Sequence, residues 1–215
     1  MKVKGGPGVG RDAGAKARLP GPERRHQIIE AAADLFARNG FRGTTTREVA
    51  AAAGVSEAVV FKHFPTKEEL YAAIIEAKAR TQEVLGGALA AATREDDAAV
   101  LRTLAREMIA RMQADPTLMR LLLFSALEGH SLSEIFFRSR VLQVDEFLCG
   151  YISQRVAAGA FRPVDPGLAA WNFMGMVVHR ILLRELFGQR SPSDATPERA
   201  VEEMVSIFLE GVRRA

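Results

Sequence analysis

The stretch Thr44–Leu70, TTTREVAAAAGVSEAVVFKHFPTKEEL, holds the pattern of two short helices and a tight join. Thr45, with Glu48 three residues on, forms a capping box and predicts a helix through Ala53. Gly54 suits the left-handed backbone that ends such a helix. Ser56 then stands as the N-cap of a second helix running to about Phe64. Two short helices joined so closely must cross steeply, as in a helix-turn-helix. Close crossing asks for a small residue on the first helix, a glycine in the turn and an aliphatic on the second. Ala50, Gly54 and Val60 stand at that spacing. On spacing alone, a DNA-binding unit and an ordinary corner between two helices both fit.

Outward from this stretch nearly everything reads as helix. Pro22 suits a first helical position, and Glu23 beside it complements the helix dipole. Ile28, Ala32, Leu35 and Phe36 follow as one apolar stripe, which Asn39-Gly40 ends. Thr66 with Glu69 is a further capping box, and the helix it opens is expected to run unbroken to about Ala91. Helices are expected at 97–113, 116–128, 131–157, 166–187 and 197–213, separated by glycine and proline breaks. No alternating β-branched runs and no fixed-period repeat appear, so the expected fold is all-α.

The chain has 215 residues, 48% of them hydrophobic and 26% charged, the balance of a globular protein able to bury a real core. No apolar run reaches the roughly 18–20 residues a bilayer requires, and the N-terminus lacks the apolar segment of a secretory signal. Cys149 is the only cysteine, which excludes an intrachain disulfide and fits a reducing cytoplasm. Four scattered histidines give no metal-ligand spacing, so no metal and no cofactor is expected. The formal charge of +3 is uneven: residues 1–21 carry five bases against one acid, whereas residues 81–215 carry a small excess of acid. Residues 1–21, rich in glycine and poor in large apolar side chains, read as a disordered basic arm. Such an arm is either a flexible leader or a strand that touches DNA.

A longer pattern separates the two readings of the central stretch. Gly40-Phe41, the threonines, Val49-Ala50, Ala53-Gly54-Val55-Ser56, His63-Phe64 and Lys67-Glu68-Glu69-Leu70 together resemble the TetR family of bacterial regulators. The resemblance implies a helix-turn-helix DNA-binding head over residues 22–80, whose third helix enters the major groove. It implies an all-helical effector-binding and dimerisation domain over 81–215. By this likeness Thr45, Thr46 and Arg47 meet the DNA backbone, with Lys67 at another phosphate. Ser56, Glu57, Ala58, Val59, Phe61, Lys62 and His63 belong to the recognition helix and its rim. His63 can equally be a packing residue.

The sequence departs from the usual pattern where the groove would be read. Glu57 replaces a basic or polar residue and repels phosphate, but a carboxylate can accept from cytosine N4. Ala58 and Val59 replace a glycine and a hydroxyl residue, trading hydrogen bonds for thymine-methyl contacts. Phe61 replaces a frequent tyrosine and lacks its hydroxyl.

Beyond residue 80 there is no nucleophile–base motif, no glycine-rich phosphate loop and no pair of carboxylates, so catalysis is not expected. Methionines and phenylalanines suit either an ordinary core or an adaptable cavity. A small apolar or aromatic effector is expected near Met108, Met112, Phe124, Trp171 and Met174. The segment 166–187 is apolar on almost all sides, more than one buried face needs. In the family resembled, the last two helices pair with a two-fold mate. The expected protein is thus a cytoplasmic, homodimeric repressor of an inverted-repeat double-stranded DNA site, released by a small molecule, with no membrane contact. The alternative, motivated by Glu57 and Phe61, is a helical small-molecule binder whose head no longer recognises a specific sequence.

Overall fold

The computed structural model describes residues 20–79, 81–129, 142–189 and 196–213. The basic arm at 1–19 and the first part of the helix expected from Ser131 lie outside these residues. Ten α-helices are described: α1 Gly21–Asn39, α2 Thr46–Ala52, α3 Glu57–His63, α4 Lys67–Lys78, α5 Thr81–Ala92, α6 Asp97–Ala114, α7 Thr117–Leu127, α8 Leu142–Ala157, α9 Pro166–Ile181 and α10 Pro197–Val212. A π-helical turn, Leu182–Leu186, continues α9. Among the described residues the only β pairing is a single bridge between Phe161 and Arg213.

The helix starts follow local chemistry. Thr45, Thr66, Asp96, Asp165 and Thr196 each accept from a backbone N–H of the first turn they precede. Each satisfies a donor the helix itself cannot pair. Ser56 is an exception: its backbone is extended as an N-cap requires, yet its hydroxyl makes no capping bond.

Two hydrophobic cores form. In the first, Ile28, Ala32 and Phe36 of α1 meet Val49, Ala50, Val60, Phe64, Leu70, Tyr71, Ile74 and Ile75. Phe36, Phe41 and Tyr71 form a ring triad with centroids 5.1–5.9 Å apart, Tyr71 standing edge-on to both phenylalanines. Each such pair adds roughly 0.5–1.5 kcal/mol beyond its burial. Leu35, expected on the α1 stripe, is only partly buried, while Ile29, Ala33 and Ala37 widen the buried face. The widening follows from three neighbours, since α2, α4 and α7 all pack on α1.

The second core joins α5, α6, α8, α9 and α10, with Leu101, Leu104, Leu148, Ile152, Phe173 and Val201 fully buried. Its rim is tied by charge. Tyr151 donates its hydroxyl to Asp97 at 2.7 Å, and Arg155 spans Asp97 and Glu95 at 2.8 Å. Arg102 and Arg106 converge on Glu202, joining α6 to α10.

The structure corrects one expectation. The helix opened by Thr66 does not run to Ala91: α4 stops at Lys78, capped by Ala79, and α5 begins at Thr81. Its halves face different cores. Tyr71, Ile74 and Ile75 are buried in the first, whereas Val84 and Ala88 are buried in the second. No glycine or proline marks the break, which is why the sequence hides it. The sequence names no packing partner for α7. Its Leu121 is fully buried in the first core, and Leu118 and Leu122 pack against it.

Candidate nucleic-acid interface

The helix-turn-helix is built by α2 and α3. Thr45 accepts from the Glu48 N–H at 3.2 Å, and Glu48 accepts from the Thr45 N–H and hydroxyl at 2.8 Å, so the capping box is complete. These bonds hold the Glu48 carboxyl below the usual carboxylate range. Gly54 has φ +63°, the left-handed backbone the turn requires. The Val55 N–H returns to the Ala50 carbonyl at 3.0 Å, closing the turn. Ala50 and Val60 are buried where the two helices cross.

This leaves one edge of α3 in solvent. Glu57, Ala58, Phe61 and Lys62 are exposed, Val59 and His63 are half-buried, and Phe61 keeps 44% of its surface accessible. Ser56 is exposed at the helix start, and Thr45 and Arg47 are exposed at the start of α2. Thr46 is half-buried, and its hydroxyl donates to Glu57 Oε1, linking the first turns of the two helices. That bond was not legible in the sequence, because it joins residues eleven apart through a turn whose exact path sets their distance.

Lys67 sits less freely than a phosphate contact implies. Its Nζ lies 4.3 Å from the Phe41 ring centroid, and burial pulls its pKa down. A cation over an aromatic face is stabilised by the ring quadrupole, so Lys67 also packs the head. Arg25 stacks likewise on Phe64 at 4.8 Å, and Gln27 donates to the Ala53 carbonyl at 3.0 Å. Both fasten α1 to the helix-turn-helix, and neither shows in the periodicity.

The head is also held from the side of α7. The Tyr71 hydroxyl donates to the Leu121 carbonyl at 2.7 Å, and burial raises the phenol to about 12. The Glu128 carboxylate accepts from the Phe41 and Arg42 N–H groups at 3.2–3.3 Å. Arg42 returns a bond to the Glu128 carbonyl. Gly40, at φ +75°, makes room for this contact, since a Cβ there would collide with Glu128 Oε1. Lys78 donates to both Glu30 and Asp115, at 3.0 and 3.1 Å.

The residues expected around an effector are not gathered in one place. Met108, Met112 and Met174 belong to or pack on the second core. Phe124 instead approaches Gly40 at the head, and Trp171 is 63% exposed. Among the described residues no helix is long and apolar enough to cross a membrane.

A short helix exposed along one edge, joined by a tight glycine turn to a partner helix over a core of its own, is the arrangement of a helix-turn-helix DNA-binding regulator. The chain belongs to the TetR family of bacterial regulatory proteins. The N-terminal family profile matches residues 28–74, and that of the AefR-like transcriptional repressor C-terminal domain matches residues 99–211. Among curated relatives, the transcriptional regulator RutR of Escherichia coli K12 is 25% identical, over 96% of this chain and 98% of its own. The activator FasR of Mycolicibacterium smegmatis is 42% identical over 59 residues, a match that spans 27% of either chain. Among solved structures, AibR in complex with isovaleryl coenzyme A and operator DNA superposes with a TM-score of 0.62. It is 25% identical, over 86% of this chain and 97% of that one. A TetR-family regulator from Mesorhizobium loti shares the fold with a TM-score of 0.71 at 23% identity, over 92% and 100% of the two chains. Membership makes the protein a transcription regulator rather than an enzyme.

Proposed function

We propose that the chain is a cytoplasmic repressor that binds an inverted-repeat DNA site as a homodimer and leaves it when a small molecule fills the second core. The observation that carries this reading is the exposed edge of α3, where Glu57, Ala58, Phe61 and Lys62 face solvent while Val60 anchors the helix in the head. Thr45, Arg47, Ser56, Val59, His63 and Lys67 flank that edge and supply its backbone contacts and rim. The working division is a head over 22–80 and a body over 81–215, with the arm at 1–21 ahead of them.

The dimer reading rests on α9 and α10. One side of α9 buries Ala169, Ala170, Phe173, Met174, Val177 and Ile181 within the chain. Leu168, Trp171, Gly175, Val178 and Leu182 recur at 3-, 7-, 10- and 14-residue steps, the spacing of a coiled-coil seam. The first three are exposed, Leu168 by 61% and Trp171 by 63%. Ile207 adds a 55% exposed apolar side chain on α10. A two-fold mate would cover the α9 stripe and Ile207 with the same surface.

The effector is proposed to be small and largely apolar, because Met108, Met112 and Met174 offer adaptable thioethers at one core. AibR was solved with isovaleryl coenzyme A and operator DNA, so short branched acids form a first series, and their much larger, anionic coenzyme A thioesters serve as the contrast that tests the small apolar reading. Selection of duplexes from a randomised pool tests the central claim. Enrichment of an inverted repeat with one recognition helix per half-site is expected. If no sequence outcompetes random DNA at physiological salt, the repressor reading fails.

A further inference from the structure

Thr46 and Glu57 are each the first residue of a helix, α2 and α3, and the Thr46 hydroxyl donates to Glu57 Oε1. Both were expected to face DNA, Thr46 at the backbone. A threonine hydroxyl has a single proton, so the proton given to Glu57 is not available to a phosphate. An ionised carboxylate has only acceptor sites, and Glu57 retains Oε2 and further lone pairs on an exposed side chain. The N-terminal residues of a recognition helix are those that meet base edges. A phosphate repels a carboxylate at that point, whereas an exocyclic base amine supplies the donor it needs. Both amines have a carbonyl of the paired base on one side, guanine O6 or thymine O4; on the other, adenine N6 has its own N7 acceptor, which opposes a carboxylate, whereas cytosine N4 has only C5–H.

Resting on the DNA-binding reading above, we propose that Thr46 is a positioning residue that holds Glu57 as the reader of a cytosine N4 amine in each half-site. A glutamate left free would lose its rotamer freedom on docking. One already tied to Thr46 has lost much of it before DNA arrives. The acidic residue at the groove is thus a source of specificity, and the hydroxyl beside it acts through the carboxylate.

The test uses the full chain as wild type, Thr46→Val, Thr46→Ser, Glu57→Gln and the Thr46→Val/Glu57→Gln double variant. Each is put through selection from randomised duplexes. The enriched site and its single-base variants are then titrated by fluorescence anisotropy, with thermal melting as a check on folding. Wild type should prefer cytosine at one position of each half-site by about tenfold. Glu57→Gln should move that preference to adenine, whose N6 and N7 suit an amide. Thr46→Val should erase most of the cytosine preference at that position and leave the other positions alone. Thr46→Ser should keep it, and the double variant should behave as Glu57→Gln alone.

Uniform weakening of Thr46→Val on every duplex, with the cytosine preference intact, would make Thr46 a backbone ligand and overturn the proposal. An unchanged preference in Glu57→Gln would overturn it equally, and that variant stands even if Thr46→Val unfolds the head. Enrichment of no sequence by wild type would instead strike the repressor reading itself, and this proposal with it.

Discussion

Phe61 shows what one atom at the groove is worth. Its ring is 44% exposed on α3, with no hydroxyl to offer a phosphate. Phe61→Tyr should strengthen operator binding by about 0.5–1.5 kcal/mol, the net value of one added hydrogen bond. Because the group is neutral, no extra counterion is released and the salt slope should not change. Titration of one operator duplex at several salt concentrations checks both, and a weaker complex would place the ring in an apolar contact instead. At this scale the sequence is legible where partners are close along the chain, as in the Thr45–Glu48 box. It is silent on Lys67 over Phe41 and on Thr46 with Glu57. Those meetings depend on how two helices cross, not on any spacing within one.

The helices themselves were readable because their caps are local, and the join between α4 and α5 was not. Nothing in Ala77–Ala79 opposes helix, and only the change of core from Ile75 to Val84 accounts for two elements there. The position of α7 was hidden for the same reason. Its apolar run names no target, and the decisive groups are Leu121, Glu128 and Gly40 from distant parts of the chain. Glu128→Ala should remove the carboxylate's bonds to the Phe41 and Arg42 N–H groups and cost about 0.5–1.5 kcal/mol, the net value of such a bond where water can replace it. Amide exchange at residues 41 and 42 should rise before that of α1, and unchanged exchange would show that the carboxylate holds nothing.

Asp115 adds a pH dependence to the same joint. Burial raises its pKa, but bonds from Thr117 and Lys78 outweigh this and hold the carboxyl below its ordinary value. A depressed carboxylate contributes stability above its unfolded pKa, near 3.9, and loses it as pH falls through the lower folded value. Acid should therefore loosen α7 from α4, and Asp115→Asn should flatten that part of the stability profile. An identical acid limb in both proteins, followed by circular dichroism, would remove Asp115 from the account.

On the scale of the molecule, the proposed two-fold mate would cover the exposed α9 stripe and Ile207 of α10 and bury on the order of 2,000 Å² or more. Gly175→Arg and Ile207→Glu should each produce monomers or aggregates, whereas a well-folded wild-type monomer at micromolar concentration in sedimentation would refute the assembly. The all-round apolar character of 166–187 was plain in the sequence. Phe173 and Val177 are buried within the chain while Trp171 is exposed, a division that the periodicity alone does not give.

Control of DNA binding then needs an element that touches both cores. A single rod from Thr66 into the body would have served, but α4 ends at Lys78. The remaining candidate is α7: Leu121 is buried in the head, and Met119, two residues earlier, packs against the second core. Cores resist continuous deformation, so a displaced helix shifts as a body and carries its contacts with it. Added bulk where Met119 packs on the second core should push α7 and, through the Tyr71–Leu121 and Glu128–Phe41 bonds, reorient the head. Met119→Phe should therefore mimic a bound effector, lowering operator affinity about tenfold, or ~1.4 kcal/mol, without contacting DNA. Combining it with Tyr71→Phe, which removes the hydroxyl bonded to Leu121, should return part of that loss. Anisotropy titrations of the four proteins, with sedimentation confirming dimers, decide the matter. Equal operator affinity in wild type and Met119→Phe would mean that α7 does not join the two cores in function.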